Sequence, residues 1–130
     1  FYSVAEHCVH TSHLVPPADA LTALLHDAAE AMLGDVASPL KSILPAYRAL
    51  EKRVEAALIP HLGGVYPLPA VVKGADLAML AAEKRAFFPR SGPWACLADV
   101  PAVPVDIRCW GSWDARGEFL SRFRTLAEAA

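Results

Sequence analysis

Cysteine is sparse in this sequence and poorly placed for cross-linking. Cys8, Cys96 and Cys109 make three, an odd number, with separations of 88 and 13 and no CxxC pair. That argues against a disulfide scaffold or a thiolate zinc site, and a reducing, cytoplasmic setting is expected. Positive charge is not in surplus: 12 Lys and Arg stand against 14 Asp and Glu, a formal net charge of −2. A chain so balanced has little with which to neutralise a long phosphate backbone, so extended nucleic acid is not expected as a partner. Unbroken apolar runs are lacking too. The uncharged stretch from Ile59 to Val72 contains Pro60, Gly63, Gly64, Pro67 and Pro69. A lipid-exposed helix does not accommodate that pattern, so no membrane partner is expected. The first residues show no basic segment followed by an apolar one. The sequence opens on Phe1 instead of Met, and an N-terminal segment is expected to be missing.

What is present suffices for one folded domain spanning residues 1–130. The chain has 130 residues, of which 55% are hydrophobic and 20% charged. At this length folding buries about two thirds of the unfolded surface, which excludes a disordered tail. Its mean hydropathy of +0.30 leaves apolar surface to cover, making a homo-oligomer an additional expectation.

Helical spacing recurs along the chain. From Ser3 to Val15, Val4, Cys8, Leu14 and Val15 interleave with Glu6, His7, His10 and His13, behind a Ser cap and ahead of Pro16 and Pro17. A second helix is expected from Asp19 through Leu21, Leu24, Leu25 and His26-Asp27-Ala28-Ala29-Glu30 to Gly34, followed by a turn over Asp35 to Pro39. Tyr47 to His61 has an apolar side of Tyr47, Leu50, Val54, Leu58 and Ile59. Pro69 to Phe88 and Ser112 to Ala129 complete the helices, the last with Trp113, Phe119, Phe123 and Leu126 expected to pack. Pro93 to Trp110 reads as a covering loop, with Val100 to Ile107 the one place for a short strand. The fold class is all-α, a compact single domain of about five to six helices.

Chemistry concentrates at His26-Asp27, late in an apolar helical run. A buried carboxylate there needs compensation, and a divalent cation would supply it if the helix end let both side chains turn inward. His7 and Asp76, from two other helices, could complete a shell of two imidazoles and two carboxylates. Such a mixed donor set suits Mn, Co, Zn, Fe or Ni, and Mg less readily. The competing reading of any one of these histidines is a hydrogen-bonded core residue. Cys8 reads as core, and His10 and His13 as surface or supporting residues.

Four ordered segments carry a resemblance: Tyr2-Ser3-Val4-Ala5-Glu6-His7; Ala23-Leu24-Leu25-His26-Asp27-Ala28-Ala29-Glu30 with Gly34-Asp35; Ser38-Pro39-Leu40-Lys41; and Val71-Val72-Lys73-Gly74-Ala75-Asp76. Together they resemble the motifs of HD-domain phosphohydrolases, in particular the YfbR-like 5′-deoxynucleotidases and the phage-type HD dATP triphosphohydrolases, over most of residues 2–88. The resemblance implies an HD-type helical domain with metal ligands His7, His26, Asp27 and Asp76, the set already singled out. It implies that Glu30 orients or deprotonates the attacking water and that Asp35 accepts a hydrogen bond from a sugar hydroxyl. Lys41 and Lys73 are expected to contact substrate phosphates. Only His61 lies between Asp27 and Asp76, so one divalent ion is expected instead of two. The family's substrate-binding Arg precedes the first histidine by more than the six residues found here.

The expected function is therefore metal-dependent hydrolysis of nucleotides, deoxynucleoside mono- or triphosphates, by a metal-activated water. The alternative is a catalytically inactive HD-fold domain that binds nucleotides for regulation. A third reading is a structural helical domain whose HD pair is coincidental.

Overall fold

A computed structural model describes residues 1–101 and 103–129. Helix α1 covers Val4–His13, where Ser3 has extended backbone and its hydroxyl accepts the Glu6 N–H at 3.1 Å. Pro16 and Pro17 keep it from continuing, and a short 3-10 turn at Pro17–Asp19 leads into α2, Ala20–Leu25.

The single helix expected from Asp19 to Gly34 is interrupted. Residues 26–29 form a turn, and α3 occupies only Glu30–Leu33. The N–H groups of Ala28 and Glu30 bond three residues back, to Leu25 O at 2.9 Å and Asp27 O at 3.0 Å. Adjacent side chains on a regular helix diverge by about 100°. At the break His26 Nε2 and Asp27 Oδ2 nevertheless stand 3.3 Å apart, so both side chains reach one point. Gly34, at φ +81, then stops α3 in a conformation that a Cβ would strain.

The turn expected over Asp35 to Pro39 gives way at Ser38 to helix α4, Ser38–Ser42. Pro39 sits in its first turn, where a missing N–H costs nothing. Helix α5 spans Pro45–His61, α6 Ala70–Phe87 and α7 Ser112–Glu128. Between α6 and α7 the chain is an irregular strap with one 3-10 turn at Ala95–Leu97, and no strand forms among the described residues of 100–107. Ala102 lies outside the described residues. Counting α2 and α3 as halves of one interrupted helix gives the upper end of the expected five to six, in an all-α single domain.

Helix α1 lies at the centre, against α2, α6 and α7. Cys8, Val9 and Leu24 form a buried cluster covered by Val4, Trp110, Phe119, Phe123 and Leu126. Leu24, Leu25, Ile59 and Met79 are fully buried. Each such side chain stabilises the fold by roughly 1.5–3 kcal/mol. Ala75, Ala78, Ala81 and Ala82, with Val72 and Met79, form the buried face of α6, which packs against α1 and α2. Two packing expectations are corrected. Trp113 is 83% exposed, and on α5 only Ile59 is buried while Leu50 is open to solvent. Helix α5 packs chiefly on α4, which does not reach across its apolar side. No helix among the described residues is long and apolar enough to cross a membrane.

The strap is pinned from below. Glu6 is fully buried, and its carboxylate accepts the N–H groups of Arg108 at 2.8 Å, Cys109 at 3.0 Å and Trp110 at 2.7 Å. These charge-assisted bonds compensate a carboxylate that would otherwise be prohibitively costly inside the protein.

Candidate metal centre

His7 comes from α1, His26 and Asp27 from the turn after α2, and Asp76 from the second turn of α6. Their inward atoms converge. His7 Nε2 is 3.3 Å from His26 Nε2, 3.2 Å from Asp76 Oδ1 and 3.8 Å from Asp27 Oδ2. His26 Nε2 is 3.3 Å from Asp27 Oδ2 and 3.7 Å from Asp76 Oδ1. Donors bound at about 2.1 Å around one ion, at octahedral or tetrahedral angles, stand roughly 3.0–3.4 Å apart. The distances from the two imidazole nitrogens to each other and to each carboxylate oxygen come within a few tenths of an ångström of that range, and His7, His26 and Asp76 form a mutually close set of donors.

The imidazoles are also presented in the form a cation needs. His26 Nδ1 donates to Ala23 O at 2.8 Å, so the neutral ring carries its lone pair on Nε2. On the far side of the His7 ring, Nδ1 lies 2.6 Å from Glu83 Oε1. Two Nε2 atoms facing each other among carboxylates make a poor hydrogen-bonding arrangement and a good ligand set. Cys8 Sγ is 4.0 Å from His26 Nδ1, the nitrogen already bonded to Ala23, so the thiol approaches the ring from the side away from the other ligands. Cys8, His26 and Asp27 also lie close enough to hold an ion, but that orientation makes the set with His7 and Asp76 the better one.

Charge in the metal-free site follows from this crowding. Burial works against protonating His7, yet the carboxylates of Asp76 and Glu83 outweigh it and the imidazole is pushed up to about 10. The same contest raises His26, through Asp76, Cys8 and Asp27. Burial opposes ionisation of Asp76, but the His26 and His7 rings hold its carboxyl well below the usual range.

A cavity of about 560 Å³ adjoins the cluster through Asp27. Glu30 and Asp35 also line it, while Val4, Leu24 and Phe119 make its walls largely apolar. Burial and the neighbouring Asp27 raise the Glu30 carboxyl, and Lys41 draws it partly back. Lys41 is committed to carboxylates: Nζ stands 3.1 Å from Glu30 Oε1 and 2.6 Å from Glu51 Oε1. Asp35 is exposed at the cavity, and Lys73 is exposed on α6 with no ion pair among the described residues. The structure thus brings His7, His26, Asp27 and Asp76 together and sets Glu30 and Asp35 on the cavity that Asp27 also lines, with Lys73 exposed on α6 one turn before Asp76. Sequence reasoning missed Glu51 and Glu83. Glu83 lies seven residues after Asp76, a same-face spacing that points to His7 once Asp76 is assigned.

Comparison with known proteins gives relatives but no stated activity. No family model matches the chain. It is 39% identical over 130 residues to a protein of Escherichia coli (strain K12) described as "Uncharacterized protein YfdR", covering 98% of this chain and 73% of that one. It is also 39% identical over 101 residues to "Uncharacterized protein RCAP_rcc00048" of Rhodobacter capsulatus, covering 67% of this chain and about half, 52%, of the relative.

Proposed function

The chain belongs to the family of the Escherichia coli protein YfdR, and we propose that it is a metal-dependent phosphohydrolase of the HD type acting on nucleotides, deoxynucleoside mono- or triphosphates. The observation that carries this reading is the convergence of two carboxylate oxygens on two imidazole nitrogens that stand 3.3 Å apart, each oxygen 3.2 to 3.8 Å from both nitrogens, beside a cavity that Asp27, Glu30 and Asp35 line.

A divalent ion held by His7, His26, Asp27 and Asp76, with Mn, Co, Zn, Fe, Ni and Mg as candidates, supplies Lewis acidity toward a phosphoryl oxygen and makes water more acidic. The remaining work falls to the chain. Glu30, its carboxyl raised by burial and Asp27, accepts a proton from the attacking water at Oε2, while Lys41 holds Oε1. Glu51 anchors Lys41 in turn, so the lysine positions the base. Asp35, at the cavity, receives a sugar hydroxyl, and the apolar walls are suited to the face of a base. Lys73 is the free cation nearest to Asp76 along α6 and takes a phosphate oxygen on the open side.

The test is hydrolysis of deoxynucleoside mono-, di- and triphosphates with Mn, Co, Zn and Mg, with phosphate and triphosphate release measured. One substrate class should turn over with at least one metal, and Glu30→Gln should lose about 10²–10⁴-fold in rate while still binding metal. Folded, metal-loaded protein that turns over none of them overturns the enzymatic reading. Nucleotide binding without turnover in that experiment selects the regulatory alternative.

A further inference from the structure

One imidazole is gripped at both nitrogens by the same helix. Asp76 and Glu83 lie seven residues, two turns, apart on one face of α6. Asp76 Oδ1 stands 3.2 Å from His7 Nε2, and Glu83 Oε1 stands 2.6 Å from His7 Nδ1. The same Glu83 oxygen accepts the Tyr2 hydroxyl at 2.7 Å. An oxygen that receives two short hydrogen bonds acts as acceptor to both, so Nδ1 of His7 carries hydrogen and a neutral ring leaves its Nε2 lone pair facing His26 and Asp76. Glu83 is well shielded, with 15% of its side chain exposed, and Tyr2 is braced by the Phe87 ring at 5.2 Å.

We propose that Glu83, seated by Tyr2, is the positioning residue that sets the tautomer and ring orientation of His7 for binding a divalent cation through Nε2. The inference rests on the metal reading above and assigns two residues to it that act through His7 without touching the ion. A carboxylate behind a histidine ligand fixes its rotation, and losing such a partner weakens metal binding by about 10–100-fold.

The experiment titrates full-length wild type, Glu83→Gln and Tyr2→Phe with Co²⁺ alone, by calorimetry and by the visible absorption of the bound ion. Circular dichroism confirms folding. Glu83→Gln should bind Co²⁺ about 10–100-fold more weakly, with a shifted absorption band at saturation. Tyr2→Phe should shift both readouts in the same direction by less. A merely structural Glu83 would leave the band of the saturated, folded variant unchanged, and that result overturns the proposal. Should Glu83→Gln fail to fold, nitrogen NMR of wild type saturated with Zn²⁺ decides. His7 with a protonated Nδ1 and a ligated Nε2 upholds the role, and ligation through Nδ1 ends it. If wild type takes up neither Co²⁺ nor Zn²⁺, the metal reading falls and the inference with it. If wild type binds and Glu83→Gln is indistinguishable from it, only the inference falls.

Discussion

Glu6 and His7 are consecutive on α1 and face opposite tasks. The glutamate points to the strap and the histidine to the candidate centre. Glu6→Gln keeps the shape but leaves an amide nitrogen facing backbone donors. It should cost about 2–3 kcal/mol by urea denaturation; a midpoint equal to wild type would show that the strap is held by something else. His7 carries a pH prediction. Its folded pKa of about 10 lies above the ordinary 6.5, so protonated His7 stabilises the metal-free fold fully below pH 6.5, and that contribution fades as pH rises through about 10. A metal ion must displace this proton, so affinity should rise with pH up to about 10, by tenfold per unit for this group alone. Calorimetry at pH 7 in buffers of different ionisation enthalpy should register proton release on binding. No release would contradict the ligand assignment.

At the scale of elements, the break between α2 and α3 creates the pair that sequence could only nominate. Helix propensity and the absence of glycine or proline from Asp19 to Leu33 favour one continuous helix, because local preferences contain nothing about groups 50 residues away. The ends of helices were more legible. Ser3, Pro45, Pro69 and Gly34 mark starts and stops by geometry that depends only on the residue itself. Gly34→Ala tests one of these. Open space surrounds the position, so the penalty would come from φ +81 alone, about 1 kcal/mol by thermal or urea unfolding. An unchanged or raised stability would mean that the turn before Asp35 relaxes freely. Trp113 and Leu50 show the opposite limit: periodicity identified an apolar side, but which neighbour covers it depends on how α7 and α5 are placed.

Across the whole molecule, the four candidate ligands come from segments as far apart as residues 7 and 76, and an ion bound among them would tie α1, the turn at 26–29 and α6 together. Such linkage stabilises only the folded state. At a metal concentration 100 times Kd the gain is about 2.7 kcal/mol, read as a rise in Tm that chelator reverses. Asp76→Ala should abolish the metal-dependent increment, and an increment equal to wild type would place the ion elsewhere. The sequence by itself determined the helical class and most helix boundaries and singled out His7, His26, Asp27 and Asp76 as candidates, because periodicity, caps and ordered motifs are properties of neighbouring residues. Only the tertiary structure decided that the carboxylate oxygens of Asp27 and Asp76 lie 3.2 to 3.8 Å from the His7 and His26 nitrogens, that Lys41 bridges Glu30 and Glu51, and that Glu83 backs His7. Those facts are distances between separate elements, and no local pattern of residues encodes how the elements are placed against one another.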